Sequence, residues 1–513
     1  MKFKKYLPAI IIALATIIVW GKTVSQVFMG EGYIYFDTGL NFSANGKIIG
    51  LERWDNFGRI LFDALPPIFH DNISYYLAFQ ILIIIVITIV FYYLVKYFTK
   101  NTWISLSSAV IFCTSYLGLF EMIGTGNYER FAQRIPNLIP QLLAFLLLAK
   151  YFDTKKIKHY IYSLILFSLS IFMGHFSTFL MPTFVIYPII FSIVHKSRVK
   201  KIIINILLSI PFVLLNLFLI SGDIFTPKGD FIGFIKENGI GHITSQIILQ
   251  ISNMTLPPLL IEKIASVTSS YQSTLLIMTL PIVFIFFIGL YIIRRKQKKI
   301  IIIYALSLFS LFILLFLNLY LGKVNPMHNM TGYTYYFLPT AYSSDPSLTA
   351  SLKGDRYYML PYFFISIIAS TLIYSLIKNK KAYRLFSIIF LTGCIFYNCS
   401  LVWKNIQKIQ PVSEDLKKYL SFVKTISPKL NNQSIIVVPR EFLWPSLMIR
   451  AIYNYPEIKF LPNDIGWKQQ ITNSKNLLLI DFYYDMTKDG KINVSQNRVI
   501  DLTDWTNYNL PKK

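Results

Sequence analysis

Apolar residues along this chain gather into runs of about 20, the length at which an α-helix crosses a bilayer core, and short polar segments separate the runs. About eleven spans are expected on this pattern: 6–26, 74–95, 103–120, 135–150, 159–173, 179–194, 202–220, 273–293, 300–321, 358–377 and 385–403. Lys2, Lys4 and Lys5 precede the first and place the N-terminus in the cytoplasm. Alternation then puts 96–102, 150–158, 195–201, 294–299 and 378–384 inside. With the N-terminus these segments hold about 22 Lys and Arg and one acid, Asp153. The outer segments carry mixed charge and most of the acids. The first span reads as uncleaved because its apolar run is long and no clear small-x-small site follows, although Gly21 leaves cleavage open.

Composition agrees. The chain has 513 residues, 54% hydrophobic and 15% charged, which excludes a soluble globular protein and makes the class an all-α polytopic membrane protein. A formal charge of +25 would suit a nucleic-acid partner, but many of the basic residues sit in short clusters between apolar runs, so the bilayer is the partner and nucleic acid is not. Cys113, Cys394 and Cys399 all fall in expected spans, so neither a disulfide framework nor a thiolate metal site is expected.

Four outer segments carry the candidate chemistry. The first, 21–73, is long for a connector. It holds Glu31, Asp37, Glu52, Asp55, Asp63 and Asp71 together with Arg53, Arg59, Tyr33 and Trp54. Its part 56–70 mixes apolar and charged residues at near-helical spacing and reads as a short interfacial helix that Pro66-Pro67 breaks. The second, 121–134, contains Glu121, Glu129, Arg130 and Arg134. The third, 174–178, is a minimal turn around His175, a lone histidine that serves equally as a local hydrogen-bonding residue. The fourth, 322–357, is rich in Tyr, Asn, Ser and Pro and ends in Asp355-Arg356-Tyr357 at the mouth of a span. There an arginine can hold a phosphate or simply meet lipid headgroups. The segment 221–272 is weakly hydrophobic and suits interfacial helices or a re-entrant piece.

Two domains are expected: a transmembrane unit over 1–403 and a small extracytoplasmic α/β unit over 404–513. Within the second, 413–426 has the pattern of an amphipathic helix, 434–439 and 476–484 of buried strands, and 441–453 of a helix. No glycine-rich phosphate loop appears in it, and it reads as a lid or docking module.

Carboxylates outside the membrane, arginines near its surface and aromatics between them suit sugar transfer from a lipid-phosphate carrier. An acceptor hydroxyl needs a general base, for which Asp37 is a candidate. A departing phosphate needs a cation, for which Arg356 or Arg130 is a candidate. Trp54 and Tyr33 offer faces for sugar rings. Taken by itself, Asp37 reads first as a turn or helix-cap carboxylate, because Asp-Thr-Gly is a good turn sequence.

Asp37-Thr38-Gly39-Leu40-Asn41, followed by Leu51-Glu52-Arg53-Trp54-Asp55-Asn56-Phe57-Gly58, resembles the first outer loop of the GT-C membrane glycosyltransferases, and more narrowly that of the arabinofuranosyltransferase D-type family. Arg356-Tyr357 is similar to the Arg-Tyr near the last core loop of many GT-C enzymes. The resemblance implies a GT-C-like fold, an inverting glycosyltransferase with Asp37 as base, and Trp54, Asp55, Arg59, Glu129, Arg130, His175, Arg356 and Tyr357 as substrate contacts. It further implies a polyprenyl-phosphate sugar as donor and a glycan, lipid or protein as acceptor. Gly39 stands where the family has Lys, and the chain has no room for the appended carbohydrate-binding modules of longer members, so the arabinose donor is not carried over. No compact DxD cluster is present; no metal ligand is assigned, and a divalent metal stays open as a cofactor. The alternatives are a transporter or flippase of lipid-linked glycans, a polymerase or ligase of another membrane class, and a non-catalytic scaffold.

Overall fold

The computed structural model describes residues 3–27, 65–69, 72–116, 135–173, 180–219, 239–256, 271–294, 297–320, 359–377, 380–426, 435–438, 458–462, 477–486 and 492–501, with a few single positions between them. A helix occupies the place of each expected span. In chain order these are α1 Phe3–Trp20, which runs into a 3-10 helix Gly21–Ser25, a single turn α2 Pro66–Phe69, α3 Ile73–Thr99, α4 Thr102–Thr114, α5 Leu138–Thr154 and α6 Ile157–Phe172. There follow α7 Met181–Val194, α8 Val199–Leu207, α9 Ile210–Leu219, α10 Ile240–Thr255, α11 Tyr271–Arg294, α12 Lys298–Tyr320, α13 Met359–Leu376 and α14 Lys380–Ile426.

Several boundaries depart from the sequence pattern, each for a local reason. The run 202–220 is two helices because Pro211 has no N–H to continue the first. The carbonyl of Leu208 at that break accepts the Tyr160 hydroxyl at 2.8 Å. Pro66 and Pro67 open a helical turn instead of breaking one, as proline does in a first turn; the rest of the expected helix 56–70 lies outside the described residues. α4 stops at Thr114, short of the expected 120, with Ser115 extended. In place of a span ending at 403 and a separate helix from 413, α14 continues unbroken for 47 residues. That is about 70 Å of helix against a hydrocarbon core of about 30 Å, so its C-terminal part projects well past the bundle. The weakly hydrophobic 221–272 contributes α10, which packs against α11, α12 and α13.

The centre of the bundle is aromatic. Phe363 of α13 stacks on Phe112 of α4 at 3.9 Å and meets Phe91 of α3 edge-on at 4.7 Å. A second cluster joins α5, α7 and α9 through Phe145–Tyr187 at 5.3 Å and Phe184–Phe212 at 5.1 Å. Lipid tails are as apolar as leucine, so helices associate in a bilayer by such packing and by hydrogen bonds. The bonds are present. Tyr304 donates to Ile285 O at 2.6 Å, Ser163 to Ala144 O at 2.7 Å and Asn205 Nδ2 to Ser192 Oγ at 2.8 Å. Gly289 leaves room for the first of these, since a Cβ there would stand 3.0 Å from Tyr304.

Beyond α14 lies a four-stranded sheet in the order β2-β1-β3-β4, with β1 Ile435–Val438, β2 Lys459–Pro462, β3 Leu477–Met486 and β4 Ile492–Asp501. β1 pairs in parallel with β2 and β3, and β3 with β4 antiparallel. The two expected strands are β1 and β3. The expected helix 441–453 lies outside the described residues.

Two interactions tie distant helices and invite tests. The buried Trp20 Nε1 donates at 2.8 Å to the carbonyl of Cys113, in the last turn of α4 where no helical donor follows. Trp20→Phe leaves that carbonyl unsatisfied and is expected to cost about 1–2 kcal/mol, read as a lower unfolding midpoint in detergent; an unchanged midpoint would count against the contact. At the opposite end, Asp153 accepts from Lys299 at 2.5 Å and from the Tyr97 hydroxyl at 2.6 Å. Burial pushes its carboxyl up, but Lys299 and Tyr97 outweigh that and hold it below the usual range. A depressed carboxylate stabilises above its unfolded pKa of about 4 and loses that contribution as pH falls through the folded value. Asp153→Asn should therefore lower the melting temperature slightly at pH 7, and the gap to wild type should close below about pH 4.

Candidate active site at the outer helix ends

Asp37, Trp54, Asp55, Arg59, Glu129, Arg130, His175, Arg356 and Tyr357 all lie outside the described residues. The structure shows the helix ends from which their segments leave. The segment 28–64 starts after the 3-10 helix Gly21–Ser25 and returns at Leu65 and α2. The segments around Glu129, His175 and Arg356 start or end at Tyr116, Ile135, Met173, Leu180 and Met359.

These ends are fixed by specific bonds. Trp20 and Cys113 bring the ends of α1 and α4 together. Tyr116 N donates to Asn398 Oδ1 of α14 at 3.2 Å. Phe69 of α2 packs edge-on against Tyr76 of α3 at 5.1 Å. The end of the 3-10 helix is bolted to the C-terminal part of α14: Val27 N donates to Ser413 Oγ at 3.1 Å, Lys417 Nζ to Ser25 O at 2.6 Å and Gln26 Nε2 to Ile406 O at 3.5 Å. Lys22 also lies over the Trp403 ring at 5.4 Å. Ile406, Ser413 and Lys417 of α14 thus hold the residues from which 28–64 leaves.

The sequence pattern did not reveal the buried amides near these ends. Gln26, Gln80, Asn137 and Gln141 are all at most 4% exposed. Both polar atoms of the Gln80 side chain lack a hydrogen-bond partner. An amide inside an apolar run was the available signal. A cavity of about 40 Å³ lies where Gln141 and Leu180, near the starts of α5 and α7, meet Phe363 of α13. A larger apolar groove of about 730 Å³ runs between α10, α11, α13 and α14, lined among others by Leu256, Phe284, Phe287, Ile368, Leu372 and Phe390. Among the described residues, no three His, Cys, Asp or Glu side chains gather.

The described interior carries polar groups. Among the described residues, no buried side chain is Asp, Glu, Lys, Arg or His. Many buried hydroxyls return to their own helix, as Thr16 does to Ile12 O, Thr88 to Ile84 O and Ser370 to Ser366 O.

Five helices, Tyr6–Ser25, Ile73–Thr99, Val199–Leu217, Lys298–Leu317 and Lys381–Gln407, are long and apolar enough to cross a membrane, and shorter apolar helices pack among them. The chain is a multi-pass helical membrane protein. No protein-family model matches it, and no curated protein is similar to it in sequence. Among solved structures it is similar to the oligosaccharyltransferase of Archaeoglobus fulgidus in the apo form, with a TM-score of 0.43 and 10% identity over 89% of this chain. The match covers 65% of that chain.

The tie between the 3-10 helix and α14 is testable. In a background without the native cysteines, Val27→Cys with Ser413→Cys should cross-link on mild oxidation, because Ser413 Oγ stands 3.1 Å from Val27 N. A control pairing Val27→Cys with a cysteine at Lys404 should not, and equal cross-linking of both pairs would contradict the contact.

Proposed function

We propose that the chain is a membrane glycosyltransferase of the GT-C type, moving a sugar from a polyprenyl-phosphate donor to a glycan, lipid or protein acceptor on the outer face. The observation that carries this is the stretch 28–64, whose Asp37-Thr38-Gly39 and Trp54-Asp55 motifs resemble the first outer loop of those enzymes. Its entry is held rigidly between α1 and α14. Two further features support the reading. The apolar groove between α10, α11, α13 and α14 offers a place for an isoprenoid tail. That no buried side chain among the described residues is ionised counts against a transporter or flippase, which places polar and ionisable groups along its path.

In this mechanism Asp37 takes the proton of the acceptor hydroxyl, whose oxygen attacks the anomeric carbon. The bond from that carbon to the carrier phosphate breaks, and the sugar inverts. Arg356 or Arg130 stabilises the phosphate charge as it leaves, a preorganised electrostatic role. Trp54, Asp55, Arg59, Glu129, His175 and Tyr357 hold the two substrates. A carrier held in the bilayer accounts for a site on the face where nucleotide sugars are scarce.

Asp37→Asn keeps size and removes the base. In membranes supplied with a panel of polyprenyl-phosphate sugars, the folded variant should lose about 10²–10⁴-fold in transfer rate. Equal transfer by variant and wild type would remove Asp37 from the centre of the mechanism.

A further inference from the structure

The end of the bundle opposite the candidate active site carries a second built feature. Three residues other than glycine have a left-handed backbone among the described residues, and all three are lysines: Lys100 at φ 53°, Lys155 at φ 56° and Lys196 at φ 51°. They close α3, α5 and α7. Their amides bond back to Lys96 O, Tyr151 O and Ile193 O at 2.9, 2.7 and 3.0 Å. Glycine would close each helix in the same way without the steric cost that a Cβ brings to this conformation. What lysine adds is an ammonium group at a helix C-terminus, where a cation is favoured.

Two of these ammonium groups rest on aromatic rings. Lys155 Nζ lies 4.8 Å from the Phe152 ring centroid and 5.8 Å from that of Phe191. Lys100 lies 4.8 Å over Tyr97, and Lys299 5.0 Å over the same ring. Lys201 of α8 is close enough to Lys155 that desolvation and this neighbour push the Lys155 ammonium down. Asp153 is the one carboxylate in the cluster among the described residues, and it is already bonded to Lys299 and Tyr97. Asp153 also acts on Lys155 through space, but among the described residues no ion pair joins a carboxylate to Lys100, Lys155 or Lys201. Beside them α8 is anchored by its buried Asn205, bonded to Ser192, and turns Val199, Ile203 and Leu207 outward at 72, 52 and 53% exposure.

We propose that this face is a binding site for an anionic phospholipid, with its phosphate at Lys155 and Lys201 and its acyl chains along the exposed apolar side of α8. Cations set on aromatic rings between helix ends are suited to lipid phosphate. The adjoining apolar strip selects a lipid over a free phosphate.

The test uses the full chain in neutral detergent. Phosphatidylglycerol and phosphatidylcholine of matched chains compete for retention in native mass spectra, and each is also scored for its effect on the unfolding midpoint. Wild type should prefer phosphatidylglycerol, and the preference should fall roughly fivefold for each lysine removed in Lys155→Gln and Lys201→Gln. It should also fade at 1 M salt, where screening is short-ranged. Melting in phosphatidylcholine reports whether the variants fold, and the wild-type competition stands without them. Equal retention of the two lipids by wild type, or an undiminished preference in the folded double variant, would overturn the proposal. Equal stabilisation by inorganic phosphate in lipid-free detergent would overturn the choice of a lipid.

Discussion

A helix in hydrocarbon has no water to complete its hydrogen bonds and no hydrophobic reason to leave lipid for another helix. The fold depends on how this chain meets that constraint. Backbone groups are satisfied inside the helices, and many buried hydroxyls bond to their own preceding turn. What remains for holding helices together is aromatic packing, such as Phe91, Phe112 and Phe363, and a small set of bonds into loose carbonyls. Trp20 to Cys113 and Tyr160 to Leu208 are of this kind. The Cys113 and Leu208 carbonyls stand at a helix end or a break, so a defect in one helix becomes the joint with another.

The two ends of the bundle are built differently. At one, Ser25 and Val27, from which the acid-rich segment 28–64 leaves, are bonded to Lys417 and Ser413 of α14. At the other, lysines in left-handed backbone cap three helices around Asp153. Among the described residues, charge lies at the rims and no buried side chain is Asp, Glu, Lys, Arg or His.

Much of the bundle was legible because bilayer thickness imposes a length on every span, and the helices fall where apolar runs of that length lie. The breaks were less legible. Pro211 divides a run that hydropathy alone reads as continuous, and Pro66-Pro67 starts a turn that proline was expected to stop. The continuity of α14 was hidden because its outer half trades apolar for amphipathic pattern at residue 404, although the backbone does not change. β2 and β4 were missed because neither Lys459–Pro462 nor Ile492–Asp501 forms a strong apolar run. Asp37, Trp54 and Arg356 rest on motif and chemistry, since the described residues give their frame and not their positions.

The most direct test of the glycosyltransferase assignment follows the carrier itself. Purified protein in proteoliposomes would receive a polyprenyl-phosphate sugar labelled in both halves, with mass spectrometry of the lipid and of the product. The account predicts that free polyprenyl phosphate appears in step with transferred sugar of inverted anomeric configuration. Intact lipid-linked sugar that moves between leaflets, with no carrier phosphate released, would contradict it and make the protein a transporter.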